Sequence, residues 1–277
     1  IKGIDNPFFQ NMIKVFEEEI QSRKYSFILH RVDTNQDEVE VALELIKEKR
    51  LKGIVFLGGN FARQGDKLKE IEVPFILSTI AMSDNVDKNL YSSVCVDDRK
   101  ESEKAVKFLC DKGHKKIAVL AAGKSDQSIS KLRIEGYRNA LKSKGIDINE
   151  KLIRHTKNNE NIQVMENGYK LMNELLESGE EFTAVYSISD SMAIGACKAI
   201  LDSGKRIPQD YSVVGFDGLD ITYYYNPSIT TIRQPVEAMA RETTKILFDL
   251  INNKATNQHK VFEAELVERE STLKLSK

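Results

Sequence analysis

The chain has 277 residues, with 41 Lys and Arg against 42 Asp and Glu and a formal net charge of -1. Because this length exceeds that of one compact core of usual size, we expect two domains, and the near-neutral charge lacks the basic excess typical of a nucleic-acid-binding surface. No positively charged start followed by an apolar segment opens the sequence, and no run approaches the ~18 apolar residues of a membrane span, so we expect a cytoplasmic protein with no membrane partner.

The first part of the chain alternates between helix and strand patterns. Asn6 and Pro7 are typical of a helix start, and apolar residues then recur at helical spacing up to residue 22. The elements predicted after this helix are a strand at 25–30, a helix at 36–49, a strand at 53–57, a weaker helix near 65–71, strands at 73–78 and 93–96, and a helix at 97–113. A strand is also expected ahead of the first helix, because Asn6 and Pro7 are typical of a loop at the carboxyl end of a strand. The sequence therefore predicts residues before Ile1.

The same alternation restarts after Lys116, which we interpret as a second lobe. Its predicted elements are strands at 117–121, 152–154, 182–188, 211–216, 229–232 and 261–267, and helices at 132–144, 163–177, 190–204 and 235–250. The last helix is expected to return to the first lobe and the last strand to the second. The sequence thus predicts an α/β fold of two Rossmann-like, doubly wound lobes with hinge crossovers, 1–112 plus 235–258 and 113–234 plus 259–277.

Two predicted strands of the second lobe end next to carboxylates. Ser189 and Asp190 follow one strand, and Asp217 ends the next. In open parallel sheets the ligand crevice lies outside the carboxyl ends of the strands, so we expect these three residues to face one cleft. The alternatives are that Asp190 is a helix N-cap and Asp217 an ordinary loop residue.

Arg133 lies near the start of a helix whose other positions are largely apolar, and so near the carboxyl end of a strand. A guanidinium there can donate two parallel bonds to neighbouring hydroxyls while Asp217 accepts from others, which is the chemistry of sugar recognition. The aromatic rings of Phe8, Phe9 and Tyr186 can stack on the C–H face of a sugar or on a base. The alternatives are a solvated helix charge for Arg133 and ordinary core packing for the three rings.

The sequence predicts no enzyme, no metal site and no cofactor. Residues 123–126 do not complete a nucleophile elbow, no phosphate-binding motif ends in Gly-Lys-Ser or Gly-Lys-Thr, and the four histidines lack metal spacing. The pair Gly58-Gly59 with Asn60 is either a phosphate-binding nest or a turn. Three cysteines without metal-ligand spacing fit a reducing compartment.

Several motifs occur in the order characteristic of one family. They are NPFF at 6–9, VD at 96–97, GHKKIA at 113–118, LRIEGY at 132–137, SDSMAIG at 189–195, IPQDYSVVGFD at 207–217, PSITTIRQP at 227–235 and EREST at 268–272. Across essentially the whole chain, they resemble the effector-binding domain of LacI/GalR-type transcriptional regulators.

This resemblance implies a periplasmic-binding-protein-like fold of type I, a homodimer, and a helix-turn-helix segment ahead of Ile1 that binds operator DNA. It implies the ligand-sensing and dimerisation core of a regulator, a repressor, that binds a sugar or similar small polar effector in the interlobe cleft and couples lobe closure to operator affinity. The alternative is an extracytoplasmic sugar-binding protein of an ABC transporter, which shares the fold. The missing secretory segment and the residues from 215 to 235 favour the regulator.

The resemblance also assigns ligand-binding roles to individual residues. Arg133 and Asp217 match positions that contact ligand hydroxyls, and Ser189 and Asp190 match the turn that lines the second lobe. The remaining matches are the pocket positions Phe8, Phe9 and Tyr186 and the position near hinge and cleft, Gln234.

Overall fold

A computed structural model of the chain describes residues 1–33, 36–59, 61, 67–82, 86–124, 126–157 and 164–275. Its helices are α1 (Pro7–Ser22), α2 (Glu38–Lys49), α3 (Asp98–Asp111), α4 (Ile129–Ser143), α5 (Met165–Glu177), α6 (Asp190–Asp202), α7 (Ile221–Tyr224) and α8 (Val236–Ile251). Its strands are β1 (Ile54–Leu57), β2 (Phe75–Ser78), β3 (Ser92–Val96), β4 (Ile117–Ala121), β5 (Ile153–His155), β6 (Ala184–Ser187), β7 (Ser212–Asp217), β8 (Thr230–Arg233), β9 (His259–Phe262) and β10 (Glu265–Val267).

These elements form two compact units. Unit 1 comprises Ile1–Val96, Gln127–Ile129 and Pro235–Phe262, and unit 2 comprises Asp97–Asp126, Ser130–Gln234 and Glu263–Lys277. Each unit has its own sheet flanked by helices, which confirms the predicted α/β fold. None of the described helices combines the length and the apolar character needed to cross a bilayer.

Among the described residues, unit 1 contains a four-stranded parallel sheet in the order β1-β2-β3-β9. The first helix, α1, begins where the sequence indicates, since the Asn6 side chain accepts a hydrogen bond from the Phe8 amide at 3.0 Å and proline occupies the first helical position. Its buried face carries Phe8, Phe9, Met12 and Phe16. Helix α8, which comes much later in the chain, packs against α1, β2 and β3.

The predicted strand at 25–30 is wrong. The first two residues of the chain lie between this segment and β1: the Ile1 nitrogen donates to the His30 carbonyl at 2.8 Å, and the Lys2 amide donates to the Leu57 carbonyl at 3.2 Å. Because Lys2 bonds the last residue of β1 and Ile1 bonds His30, residues 25–30 do not pair directly with β1. The predicted helix near 65–71 is instead a 3₁₀ helix over Lys67–Glu70, and residues 65 and 66 lie outside the described part of the chain.

In the described part of unit 2, six strands form a sheet in the order β10-β8-β7-β6-β4-β5, in which only the β10–β8 pair is antiparallel. On one face α5 and α6 approach each other through glycines. A Cβ at Gly168 would lie 2.0 Å from the Met192 carbonyl oxygen, and a Cβ at Gly195 would lie 1.9 Å from the Met165 carbonyl oxygen. The two helices therefore pack backbone to backbone, which any larger residue at these positions would prevent. The predicted start of α5 at residue 163 lies outside the described residues.

The boundaries between the units differ from the predicted ones in three places, one of which is that Gln127–Ile129 belong to unit 1 rather than to the second lobe. Helix α3 belongs to unit 2 rather than to the first lobe, because it packs on β6 and β8. The predicted last strand at 261–267 is two strands: β9 pairs with β3 in unit 1, and β10 pairs with β8 in unit 2. The predicted boundaries at 112 and 258 are thus found at 96 and 262.

Candidate functional site

The parallel strands of unit 2 end at one edge of their sheet, where polar residues collect. Asp190 follows β6, Asp217 is the last residue of β7, and Gln234 follows β8. All three side chains are buried, with at most 4% of each residue exposed. Since parallel strands share this edge, residues far apart in sequence come together there.

Arg133, from the second turn of α4, reaches the same edge and is 1% exposed. Its Nε donates to Asp98 Oδ1 at 2.7 Å, and its Nη1 donates to the Ile188 carbonyl at 2.6 Å and to Asp217 Oδ1 at 3.2 Å. The guanidinium carbon lies 3.7 Å from the ring centroid of Phe216. The alternative of a solvated helix charge is therefore wrong for Arg133.

The charge of Arg133 is retained despite its burial. Desolvation lowers the pKa of the guanidinium, but the attraction of Asp98 and Asp217 outweighs desolvation and raises the pKa above its ordinary value. These two carboxylates and one guanidinium form the charged centre of the site among the described residues. Desolvation raises the pKa of Asp98 above its ordinary value, against the opposing attraction of Arg133.

Asp217 has an unusual backbone conformation, with φ of 125°, which residues other than glycine rarely adopt. The end of β8 holds it from one side, because the Gln234 amide donates to the Asp217 carbonyl at 3.1 Å and the Gln234 side-chain amide donates to Asp217 Oδ1 at 3.1 Å. Strained backbone of this kind occurs frequently at ligand sites.

Ser189, and not Asp190, is the N-cap of α6, since Ser189 Oγ accepts from the Met192 amide at 3.3 Å. The Asp190 carboxyl group instead accepts hydrogen bonds from the Gly218 and Leu219 amides, each at 2.7 Å to Oδ2. Its other oxygen, Oδ1, accepts a hydrogen bond from the Thr231 hydroxyl on β8 at 2.6 Å. Burial and the nearby charge of Asp217 raise the pKa of Asp190 to about 8.

The sequence reasoning missed Asp98 as a site residue. Asp98 opens α3, is 3% exposed and binds Arg133 directly. The sequence carries a signal for Asp98, because Asp97 and Asp98 directly follow strand β3, and a carboxylate at the end of a strand is the same pattern that indicates Asp217.

The three aromatic candidates lie in two different units. Tyr186 is fully buried in β6, its hydroxyl donates to Ser102 Oγ at 2.6 Å, and burial raises its pKa. Phe8 and Phe9 lie in unit 1 with their rings 5.6 Å apart in an edge-to-face contact. Ligand stacking on these rings stays a prediction.

The site in unit 2 consists of hydrogen-bonding side chains that are held in place by one another. In the described ranges no three His, Cys, Asp or Glu side chains are grouped so that they could hold a metal ion. The polar side chains there are the carboxyl groups of Asp98 and Asp217, a guanidinium and a carboxamide, and they are hydrogen-bonded to one another. Hydroxyl groups, which donate to carboxylates and accept from a guanidinium or an amide, suit such a site.

Comparison with known proteins gives four informative matches. The model of the periplasmic binding protein-like domain matches residues 106–272. The HTH-type transcriptional regulator MalR of Clostridium butyricum is 39% identical over 273 residues, which are 98% of this chain and 80% of that protein. The solved complex of the transcriptional regulator CelR with cellobiose has a TM-score of 0.83 at 27% identity and covers 96% of this chain and 79% of that one. A LacI family regulator from Enterococcus faecium with bound ribose has a TM-score of 0.82 at 26% identity and covers 99% of this chain and 97% of that one.

Proposed function

The chain belongs to the family of periplasmic-binding-protein-like domains and is the effector-binding domain of a LacI-type transcriptional regulator, and from this premise we propose that its effector is an uncharged sugar held by Arg133 and Asp217. The curated relatives are named as transcriptional regulators and repressors, which favours this function over a solute-binding protein of a transporter.

The observation that carries the proposal is the contact of Arg133 and Gln234 with the same Asp217 oxygen at the carboxyl edge of the sheet. This contact orients a carboxylate, a guanidinium and a carboxamide toward each other before any ligand arrives. Vicinal hydroxyls can then donate to Asp217 and accept from the nitrogens, so that little entropy is lost in ordering the protein groups.

The ligand class is supported by two similar proteins whose structures are described as sugar complexes, one with cellobiose and one with ribose. Ser189, Tyr186, Phe8 and Phe9 remain proposed contributors to the pocket.

The proposed role in the cell is that of a cytoplasmic, homodimeric repressor that binds operator DNA. A ligand that binds one conformational state of the regulator better than another shifts the populations of the two states. A coupling of about 1–3 kcal/mol would change operator affinity about 5–150-fold, which is sufficient for a switch.

The test is a thermal-shift screen followed by titration calorimetry with ribose, cellobiose, maltose, ribose 5-phosphate and hypoxanthine. We expect at least one neutral sugar to raise the melting temperature, because binding at 100 times Kd stabilises the folded state by about 2.7 kcal/mol. Binding of hypoxanthine or of the phosphate alone would contradict the proposed ligand class.

Variants then test the residues. Asp217→Asn should weaken binding of the responding sugar by at least ~10-fold, since a hydrogen bond to a charged group contributes about 1.5–3 kcal/mol. The matched control is Asp210→Asn, which neutralises a carboxylate of unit 2 that forms an ion pair with Arg206. Equal affinity of wild type and Asp217→Asn would rule out the assigned contact.

A further inference from the structure

We propose that Asp190 is a positioning residue, which holds the turn at 217–219 so that Asp217 can meet the ligand, and that Asp190 itself does not touch the ligand. The proposal rests on the proposed function in one respect, namely that Asp217 is a ligand contact. It gives Asp190 a different role from the ligand contact that the family resemblance suggests.

The turn after β7 needs an external support. Asp217 has φ of 125° and Gly218 has φ of 82°, so two consecutive residues lie in the region that side chains disfavour. Gly218 also lies against the end of β8, since a Cβ there would be 2.5 Å from the Arg233 Cα. A conformation of this kind persists only where the surrounding structure holds it.

Asp190 supplies that support with both oxygens of its carboxyl group. Oδ2 accepts the amides of Gly218 and Leu219, each at 2.7 Å, and Oδ1 accepts the Thr231 hydroxyl at 2.6 Å. A single side chain on α6 therefore ties the two residues after Asp217 to the neighbouring strand β8.

The surroundings of the Asp190 carboxyl group leave it facing protein. The residue has no exposed surface, and a Cβ at Gly215 would lie 2.2 Å from its Oδ1, so the group is packed directly onto β7. The side chain of Asp217 has different neighbours, Arg133 and Gln234. The two carboxyl groups thus have different hydrogen-bond partners. Asp190 binds the turn after β7, whereas Asp217 binds the proposed ligand-binding side chains.

Three variants distinguish positioning from ligand contact. Asp190→Ala removes every acceptor, whereas Asp190→Asn keeps an oxygen for the two amides and resembles the protonated form of the carboxyl group. The matched control is Ser271→Ala, since Ser271 is also fully buried and bonds the Thr230 amide and the Val213 carbonyl near the amino ends of β7 and β8.

The first measurement is amide hydrogen exchange in the ligand-free protein, followed by NMR. Asp190→Ala should accelerate exchange of the Gly218 and Leu219 amides by at least ~10-fold, about the factor expected for one lost hydrogen bond. Asp190→Asn should stay within ~3-fold of wild type, and Ser271→Ala should leave both amides unchanged. Unchanged exchange in Asp190→Ala would overturn the proposal.

The second measurement is the affinity for cellobiose and ribose by calorimetry. Asp190→Ala should weaken binding by at least ~10-fold, while Asp190→Asn and Ser271→Ala should stay within ~3-fold. If Asp190→Asn binds as weakly as Asp190→Ala while its amide exchange is normal, the carboxyl group contacts the ligand and the proposal is wrong.

Two further outcomes have defined meanings. If the wild-type protein binds none of the neutral sugars of the thermal-shift screen, the proposed ligand class fails, and the exchange rates in the free protein alone decide whether Asp190 holds the turn. If Asp190→Ala does not fold, Thr231→Val takes its place, because it removes only the hydroxyl bonded to Oδ1. It should accelerate exchange of the two amides by a smaller factor, and wild-type rates would again contradict the proposal.

Discussion

Replacement of Arg133 by methionine should destabilise unit 2 strongly. Met fills the volume of the arginine stem, but it leaves the carboxylates of Asp98 and Asp217 buried without their cation. Removal of one partner from a buried ion pair costs about 3–5 kcal/mol, a large share of the 5–15 kcal/mol by which typical proteins are stable. Urea unfolding followed by circular dichroism at pH 7 measures this cost.

The control lies on the same helix. Arg138 binds Glu150, with Nη2 and Oε2 2.8 Å apart, but 37% of the arginine side chain and 67% of the glutamate side chain are exposed. Arg138→Ala should therefore cost less than about 1 kcal/mol, as solvated pairs do.

The pH dependence of the Arg133→Met cost follows from the same charges. Desolvation already raises the pKa of Asp98 above its ordinary value of 3.8, and loss of Arg133 raises it further. The folded state then binds the proton more tightly than the unfolded chain, so stability is gained as pH falls through the folded pKa and lost as pH rises through it. The destabilisation should shrink as pH falls from 7 toward 3.8, and Asp98→Asn in the Arg133→Met background should recover part of it. A cost equal to that of Arg138→Ala, or one that does not change with pH, would refute this account of the buried charges.

Three further predictions concern unit 2. The pKa of Asp190 is raised from 3.8 to about 8, so the contribution of its protonated form to stability is present below pH 4 and is lost as pH rises to 8. Asp190→Asn does not titrate, so its melting temperature relative to that of the wild type should rise over this pH interval. Burial lowers the pKa of His114 below 6.5, so stability should fall as pH drops below 6.5, and His114→Gln should show a flatter pH profile of unfolding free energy. In urea unfolding, Gly195→Ala should lower the unfolding free energy several times more than Gly145→Ala does, because the new Cβ would overlap the Met165 carbonyl. At Gly145 only the φ of 64° opposes a side chain, which costs about 1–2 kcal/mol.

Local sequence signals determined much of the fold. Asn6 and Pro7 mark the start of α1, and the unbroken apolar run Ile117–Ala121 is a strand with the predicted bounds. Helix capping and the burial of a strand on both faces depend mainly on neighbouring residues, so they can be inferred without knowledge of the distant chain. The order of motifs was sufficient to predict the family, which the comparisons confirm.

The partners of each side chain were decided only by the tertiary structure. The sequence pointed to Arg133 and Asp217, but not to Asp98 as a third member of the charged centre. Residues 25–30 have a strand-like pattern and yet do not pair with β1, since the backbone of Ile1 and Lys2 lies between them.

The split of 259–267 into two strands has a related cause, because pairing partners are set by the crossings of the chain and not by local propensity. Asp190 makes the same point within the site. Its three hydrogen-bond donors lie 28, 29 and 41 residues away, so its role depends on the register of β7 and β8 and on the turn between them. A local pattern carries no information about such distant partners, whose positions are fixed only when the sheet has assembled.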